Sequence, residues 1–250
     1  WIYPAPLPPQ TLNNGSRIAL NVDPLQQSPY NLTGNGITIA EWDGGWIDAA
    51  HPDFQGRLTI GDAGCTEPDC STADHATHVG GTAAEGGAVT WLYRGMAYAA
   101  DLLSYEWWDP SGNTELFGEH HDAIDNHSTD LTTNSWGYSS GGANAYGNYD
   151  ARTTDLDDIV RGYINNDPTL MFFAAGNQRG SSCDSFISQW EQYDCIIQPA
   201  TAKNVITIGA VNSNNSAMTD FSSWGPTNDG RLKPEFVAPG CEANPNDNWY

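Results

Sequence analysis

The stretch Asp74-His75-Ala76-Thr77-His78-Val79-Gly80-Gly81-Thr82-Ala83-Ala84 constrains the fold more than any other part of the chain. It follows a loop of acids and small residues and reads as a helix with almost no side-chain volume. Glycine and threonine give such a helix little intrinsic stability, so close packing must hold it. A sheet is the neighbour that lets backbones approach so closely. The helix start presents His75. At a buried helix N-terminus the dipole is expected to lower the histidine pKa and favour the neutral imidazole that a general base needs.

Residues 37–42 read as a buried strand, with Asp43-Gly44-Gly45 at its end. Functional groups in parallel α/β sheets gather at the carboxyl ends of strands. Asp43, beside two glycines that permit a tight turn, is therefore a candidate carboxylate held by backbone amides. Residues 115–127 read as an amphipathic helix with Leu116, Ala123 and Ile124 inward and with His120, His121 and His127 in solvent. Residues 141–149 form a loop rich in Gly, Asn, Ala and Tyr. A helix opens at 153–160 and ends by Asn165-Asn166-Asp167-Pro168. Residues 169–177 are a buried strand running into a glycine turn tipped by Asn177, and 203–211 are another strand.

The N-terminal part differs. Trp1 to Gln10 carries four prolines and reads as an extended arm. Residues 22–30 suit a short helix with Asp23 as cap and Pro24 at its first position. The expected organisation is an arm and short helix over 1–31, then one domain over 32–250.

Charge narrows the partners. The 250 residues hold 9 Lys plus Arg against 31 Asp plus Glu, a formal charge of −22. That argues against nucleic acid and against an anionic membrane surface. It fits a secreted protein that stays soluble in salt, or one that binds hard cations through carboxylates. No apolar run approaches the roughly 20 residues of a membrane span. No signal peptide is visible, so the chain reads either as cytosolic or as a processed form without its leader. The cysteines favour the second. Cys65 pairs with Cys70, and Cys183 with Cys195, as two local disulfides in an oxidising compartment. Metal binding competes with this, but the spacings are not CxxC and no histidine stands suitably beside either pair. Cys241 is left over, and its expected partner lies beyond the last residue.

Asp43-Gly44-Gly45, then His51-Pro52-Asp53-Phe54, then His75-Ala76-Thr77-His78-Val79-Gly80-Gly81-Thr82 together resemble the subtilisin-like serine peptidase family. Gly44 replaces a hydroxyl residue, Ala76 replaces a glycine, and the run from Asp43 to His51 is one residue longer than usual. The similarity continues through Thr133-Asn134-Ser135-Trp136-Gly137, Ala174-Ala175-Gly176-Asn177, Phe221-Ser222-Ser223-Trp224-Gly225-Pro226 and Lys233-Pro234-Glu235-Phe236-Val237-Ala238-Pro239-Gly240. It runs from about Leu32 to Gly240. The resemblance implies a three-layer α/β/α fold with a mostly parallel central sheet. It also implies a secreted, extracellular endopeptidase made by zymogen processing. His75 would be the general base, Asp43 its orienting carboxylate, and Asn177 a donor to the oxyanion. Ser135, Trp136 and Gly137 would pair with the peptide substrate as an added strand, and Ala174, Ala175 and Gly176 would complete the substrate-binding set. Trp136 in place of an aliphatic residue narrows or reshapes the pocket. Calcium is implied by acidity and family habit, with no ligands named.

The family's nucleophile lies in a Gly-Thr-Ser-Met-Ala segment, and none is present in these 250 residues. Ser135, Ser222 and Ser223 match structural motifs instead. Three accounts follow. The serine sits on a second, C-terminal complement chain produced by a cut after Tyr250; or the sequence is truncated; or the protein is an inactive platform for peptide or glycan. The first two are preferred, and this chain alone is then expected to be inactive and poorly stable. A zinc site on His75 and His78 is a further option, which wants a third ligand.

Overall fold

Seven strands pair in one sheet, and every pairing is parallel. The structure, a computed structural model, describes residues 13–62, 72–107, 116–138, 146–163, 167–179, 183 and 193–241. The expected proline arm, the Cys65–Cys70 pair and the segment after Cys241 lie outside these.

The elements in chain order are α1 (Asn13–Ala19), β1 (Thr38–Asp43), β2 (Leu58–Ile60), α2 (Asp74–Ala84), β3 (Asp101–Glu106), α3 (Leu116–Asp125), β4 (Leu131–Asn134), α4 (Ala151–Val160), β5 (Leu170–Ala174), β6 (Ile206–Asn212) and β7 (Phe236–Cys241). The spatial order is β2-β3-β1-β4-β5-β6-β7. Strand alternation sends side chains to two separate cores. Ile39 and Leu102 pack on one face with Ala76 and Ala84 of α2. Ala40, Trp42, Leu103, Tyr105 and Phe173 pack on the other with Ala123 and Ile124 of α3 and with Leu156 and Ile159 of α4. Helices therefore cover both faces, giving the three-layer α/β/α architecture. Covered on both sides, β1 is buried from Ile39 to Asp43, with Ile39, Ala40 and Trp42 supplying its apolar contacts.

The small-residue helix packs as its composition requires. A Cβ on Gly80 would lie 2.5 Å from Ile47 Cδ1 and 3.1 Å from Glu41 Oε2. Asp150 caps α4, accepting from Arg152 and Thr153 N–H while Thr153 Oγ1 accepts from the Asp150 N–H. That helix stops at Val160, short of the Asn-Asn-Asp-Pro end. Gly162, at φ +74°, turns the chain so that Tyr163 N–H donates to Asp158 O.

Residues 22–30 are a run of turns, and the N-terminal helix is α1 instead. Asp23 does not cap a helix, because its carboxylate accepts from Arg17 and Arg94. Gln26 is buried and donates to Gly95 O and Met96 O. Arg17, fully buried, donates to Leu92 O and Arg94 O. This network ties the N-terminal segment to the loop that follows α2.

Candidate active site

The strand order reverses at β1, which has β3 on one side and β4 on the other. Open α/β sheets form a crevice beyond the carboxyl ends of their strands at such a switch point. Asp43 is the last residue of β1. Trp42 is level with Asn134 of β4, which is level with Phe173 of β5. The residues that follow, Asp43, Ser135 and Ala174, thus stand side by side at one sheet edge.

Asp43 is 3% exposed. Its Oδ1 accepts from Gly44 N–H at 2.7 Å, so the Asp-Gly turn supplies the backbone amide. His75, the second residue of α2, places Nδ1 2.8 Å from both Oδ1 and Oδ2 of Asp43. With a carboxylate as the acceptor, Nδ1 carries the proton and the other ring nitrogen is left basic. The His75 side chain is 61% exposed, so that nitrogen is open to a reactant. The expected lowering of its pKa is not found. The hydrogen bond to Asp43 raises it, and burial only partly opposes this. The Asp43 carboxylate at 2.8 Å favours the charged ring more than partial burial disfavours it. The pair can accept a proton and stabilise the resulting imidazolium.

Asn177 ends the turn after β5 and is exposed. Among the described residues it makes no hydrogen bond to Asp43 or His75; its N–H donates to Gln178 Oε1. The turn is shaped by Gly176 at φ +104°. Ser223 holds it from behind, its N–H donating to Gly176 O and its Oγ accepting from Gln178 N–H. Arg179 lies over the Trp224 ring at 3.8 Å and donates to Asp220 O. Ser222 and Ser223 are both buried and engaged with main-chain N–H groups.

One residue that no sequence motif singles out joins the two rims of the cleft. A Cβ on Gly137 would lie 2.4 Å from Ile197 Cδ1, and one on Gly176 would lie 2.9 Å from Ile197 Cγ1. The main chain reinforces this, with Ile197 N–H donating to Ala175 O and Tyr138 N–H to Gln198 O. Ile197 belongs to a small core with Tyr146 and the Cys183–Cys195 disulfide, which forms as expected. Ile197 is reachable from sequence only through its nearness to Cys195.

Trp136 is 6% exposed, so most of its bulk goes into the core rather than into the cleft. It stacks on Trp107 at 4.9 Å and meets Tyr138 and Phe173 edge-on. His120 is not in solvent. It is fully buried and stacks on Trp42, whose other neighbour is Tyr105. Positions 120, 123 and 124 share a helix face, so the periodicity that places Ala123 and Ile124 inside places His120 there too. His121 and His127 face Asp125 and Asp122 at the surface.

Among the described residues, His75 and His78 gather no third metal-ligating side chain, whereas His51, Asp53 and Glu85 come together. Calcium takes six to eight oxygens. A group with an imidazole and two carboxylates does not fit that ion.

The family model described as Subtilase family matches residues 34–250. Serine protease AprX of Bacillus subtilis is 31% identical over 230 residues, covering 84% of this chain and 47% of that protein. Subtilisin-like protease 2 of Pseudogymnoascus destructans is 30% identical over 210 residues, covering 84% of this chain and 44% of that protein. The chain thus spans about half the length of these curated relatives. Among solved structures, the CspB protease of Clostridium perfringens superposes with a TM-score of 0.69 at 15% identity, covering 90% of this chain and 79% of that one. At that identity the likeness concerns the fold alone. No described helix is long and apolar enough to cross a membrane.

Proposed function

The chain belongs to the subtilase family, and on that premise we propose that it carries the acid–base half of a secreted serine endopeptidase site. His75 takes the proton of a serine hydroxyl as that oxygen attacks the scissile carbonyl carbon. Asp43 holds the imidazole in the needed tautomer and stabilises its charged form. Asn177 and a backbone amide receive the oxyanion. The imidazolium then protonates the leaving amine, and water, deprotonated by the same ring, releases the acyl group.

The substrate backbone lies along Ser135, Trp136 and Gly137, opposite Ala174, Ala175 and Gly176. The nucleophile comes from a C-terminal segment that complements these residues. The burial of Ser222 and Ser223, whose oxygens accept main-chain N–H groups in structural turns, supports this. The observation that carries the proposal is the double 2.8 Å approach of His75 Nδ1 to Asp43.

Labelling the native protein with a fluorophosphonate, followed by mass spectrometry, tests it. The expected result is one modified serine outside residues 1–250, lost on His75→Ala. A preparation that takes no label, or takes it equally well with His75→Ala, overturns the proposal.

A further inference from the structure

Three ligating side chains converge at the end of α2 opposite His75. His51 precedes and caps the short turn Pro52–Phe54, and Asp53 lies within it. Glu85 is the C-cap residue of α2. One ligand atom from each lies within 4.8 Å of the other two. His51 Nδ1 is 3.9 Å from Asp53 Oδ2. Asp53 is 3% exposed. Its Oδ1 accepts from Ala88 and Val89 N–H, while its buried Oδ2 takes no hydrogen bond from any described residue. A buried carboxylate oxygen without a donor is costly unless a cation faces it.

The surrounding charges leave room for such a cation. Arg57 is close, but its guanidinium donates to the carbonyls of Asp53, Ala84 and Ala100 rather than to a carboxylate. Asp53 and Glu85 are both buried and bring two carboxyl groups to one place, an arrangement that a cation between them would stabilise. The negative end of the α2 dipole favours positive charge at the same place. His51 is one-third exposed and opens the site to water, which supplies the remaining ligands.

We propose that His51, Asp53 and Glu85 bind a divalent transition-metal ion of the zinc class. One imidazole nitrogen and two carboxylate oxygens suit Zn²⁺ or Mn²⁺. His51 Nδ1 accepts a long 3.4 Å hydrogen bond from Asp53 N–H, which the ion replaces. The ion pins the 51–54 turn to the carboxyl end of α2, about 15 Å along that helix from His75, and so acts on the helix and not on the reaction.

The test is titration of the EDTA-treated full-length protein with ZnCl2, by calorimetry and by thermal unfolding. One Zn²⁺ per chain and a raised Tm are expected, with affinity more than about tenfold weaker in His51→Ala and in Glu85→Gln. Co²⁺ should give a visible absorption band that His51→Ala loses. If Glu85→Gln fails to fold, His51→Ala decides alone, since its side chain is partly exposed. Zn²⁺ affinity unchanged by the variants, no saturable binding, or tighter binding of Ca²⁺ each overturns the proposal.

Discussion

His75 Nδ1 stands 2.8 Å from each carboxylate oxygen of Asp43, so the imidazole meets both arms of the acid rather than one. Replacing Asp43 by Asn puts an amide nitrogen in place of one of those acceptors and lets the ring adopt the other tautomer. Peptidase activity of the complemented protein should fall by about 10⁴-fold, the loss known for this change in a serine protease triad. The pH profile should move as well. The pair raises His75, so the acid limb of kcat/KM lies above the ordinary imidazole value of about 6.5, and Asp43→Asn shifts it down. The pair's contribution to stability is full below the unfolded imidazole value and fades as pH rises through the folded one. The variant should lose that acid-side contribution. An acid limb that does not move would contradict the assignment.

Gly137 leaves no room for a methyl group against Ile197 and Gln198 O. Gly137→Ala should destabilise by about 1–3 kcal/mol in urea denaturation and reduce turnover. Gly118, in α3, is the control, since a methyl group there would meet nothing within 4 Å. Gly118→Ala should hold or gain up to about 1 kcal/mol.

The Cys183–Cys195 bridge closes a loop with a sequence separation of 12. Replacing both cysteines by alanine should cost about 3 kcal/mol of stability. Because Ile197 shares a core with the bridge, peptidase activity should fall further than global unfolding explains. Activity measured well below the unfolding midpoint separates the two effects.

Glu41 is fully buried in β1, and both its carboxyl oxygens lack a hydrogen-bond partner among the described residues. Burial, and then the Asp43 charge, raises its pKa well above the ordinary range. The folded state therefore resists losing this proton while the unfolded chain releases it readily. Folding loses stability as pH climbs above the unfolded carboxyl value of about 4.3, until the folded value is passed. Glu41→Gln should match the parent near pH 4 and exceed it at neutral pH. Denaturation midpoints at the two pH values decide this.

The strand ends are legible in the sequence because apolar runs that stop at Asp43-Gly44-Gly45 or Ala175-Gly176-Asn177 are local signals. The same holds for the small-residue helix behind His75. What escapes a sequence reading is long-range or masked by residue type. β7 holds Pro239 and Gly240, poor strand formers that an edge strand tolerates, so no strand is read there from the sequence. β2 has three residues, too few to show a period. His120 reads as solvent-facing because histidine is polar, although its spacing to Ala123 and Ile124 points inward. The direction of the His75 shift depends on a contact 32 residues away in sequence. Asp53 and Glu85 are likewise far apart along the chain, and nothing local announces that they meet.

The wedge that Ile197 forms between the turns at Gly137 and Gly176 makes those turns one mechanical body. On the substrate placement proposed above, a peptide that pushes one lip outward drags the other with it, so grip on its backbone and the aim of the Asn177 side chain are geared together, and a lesion at Ile197 blunts both at once.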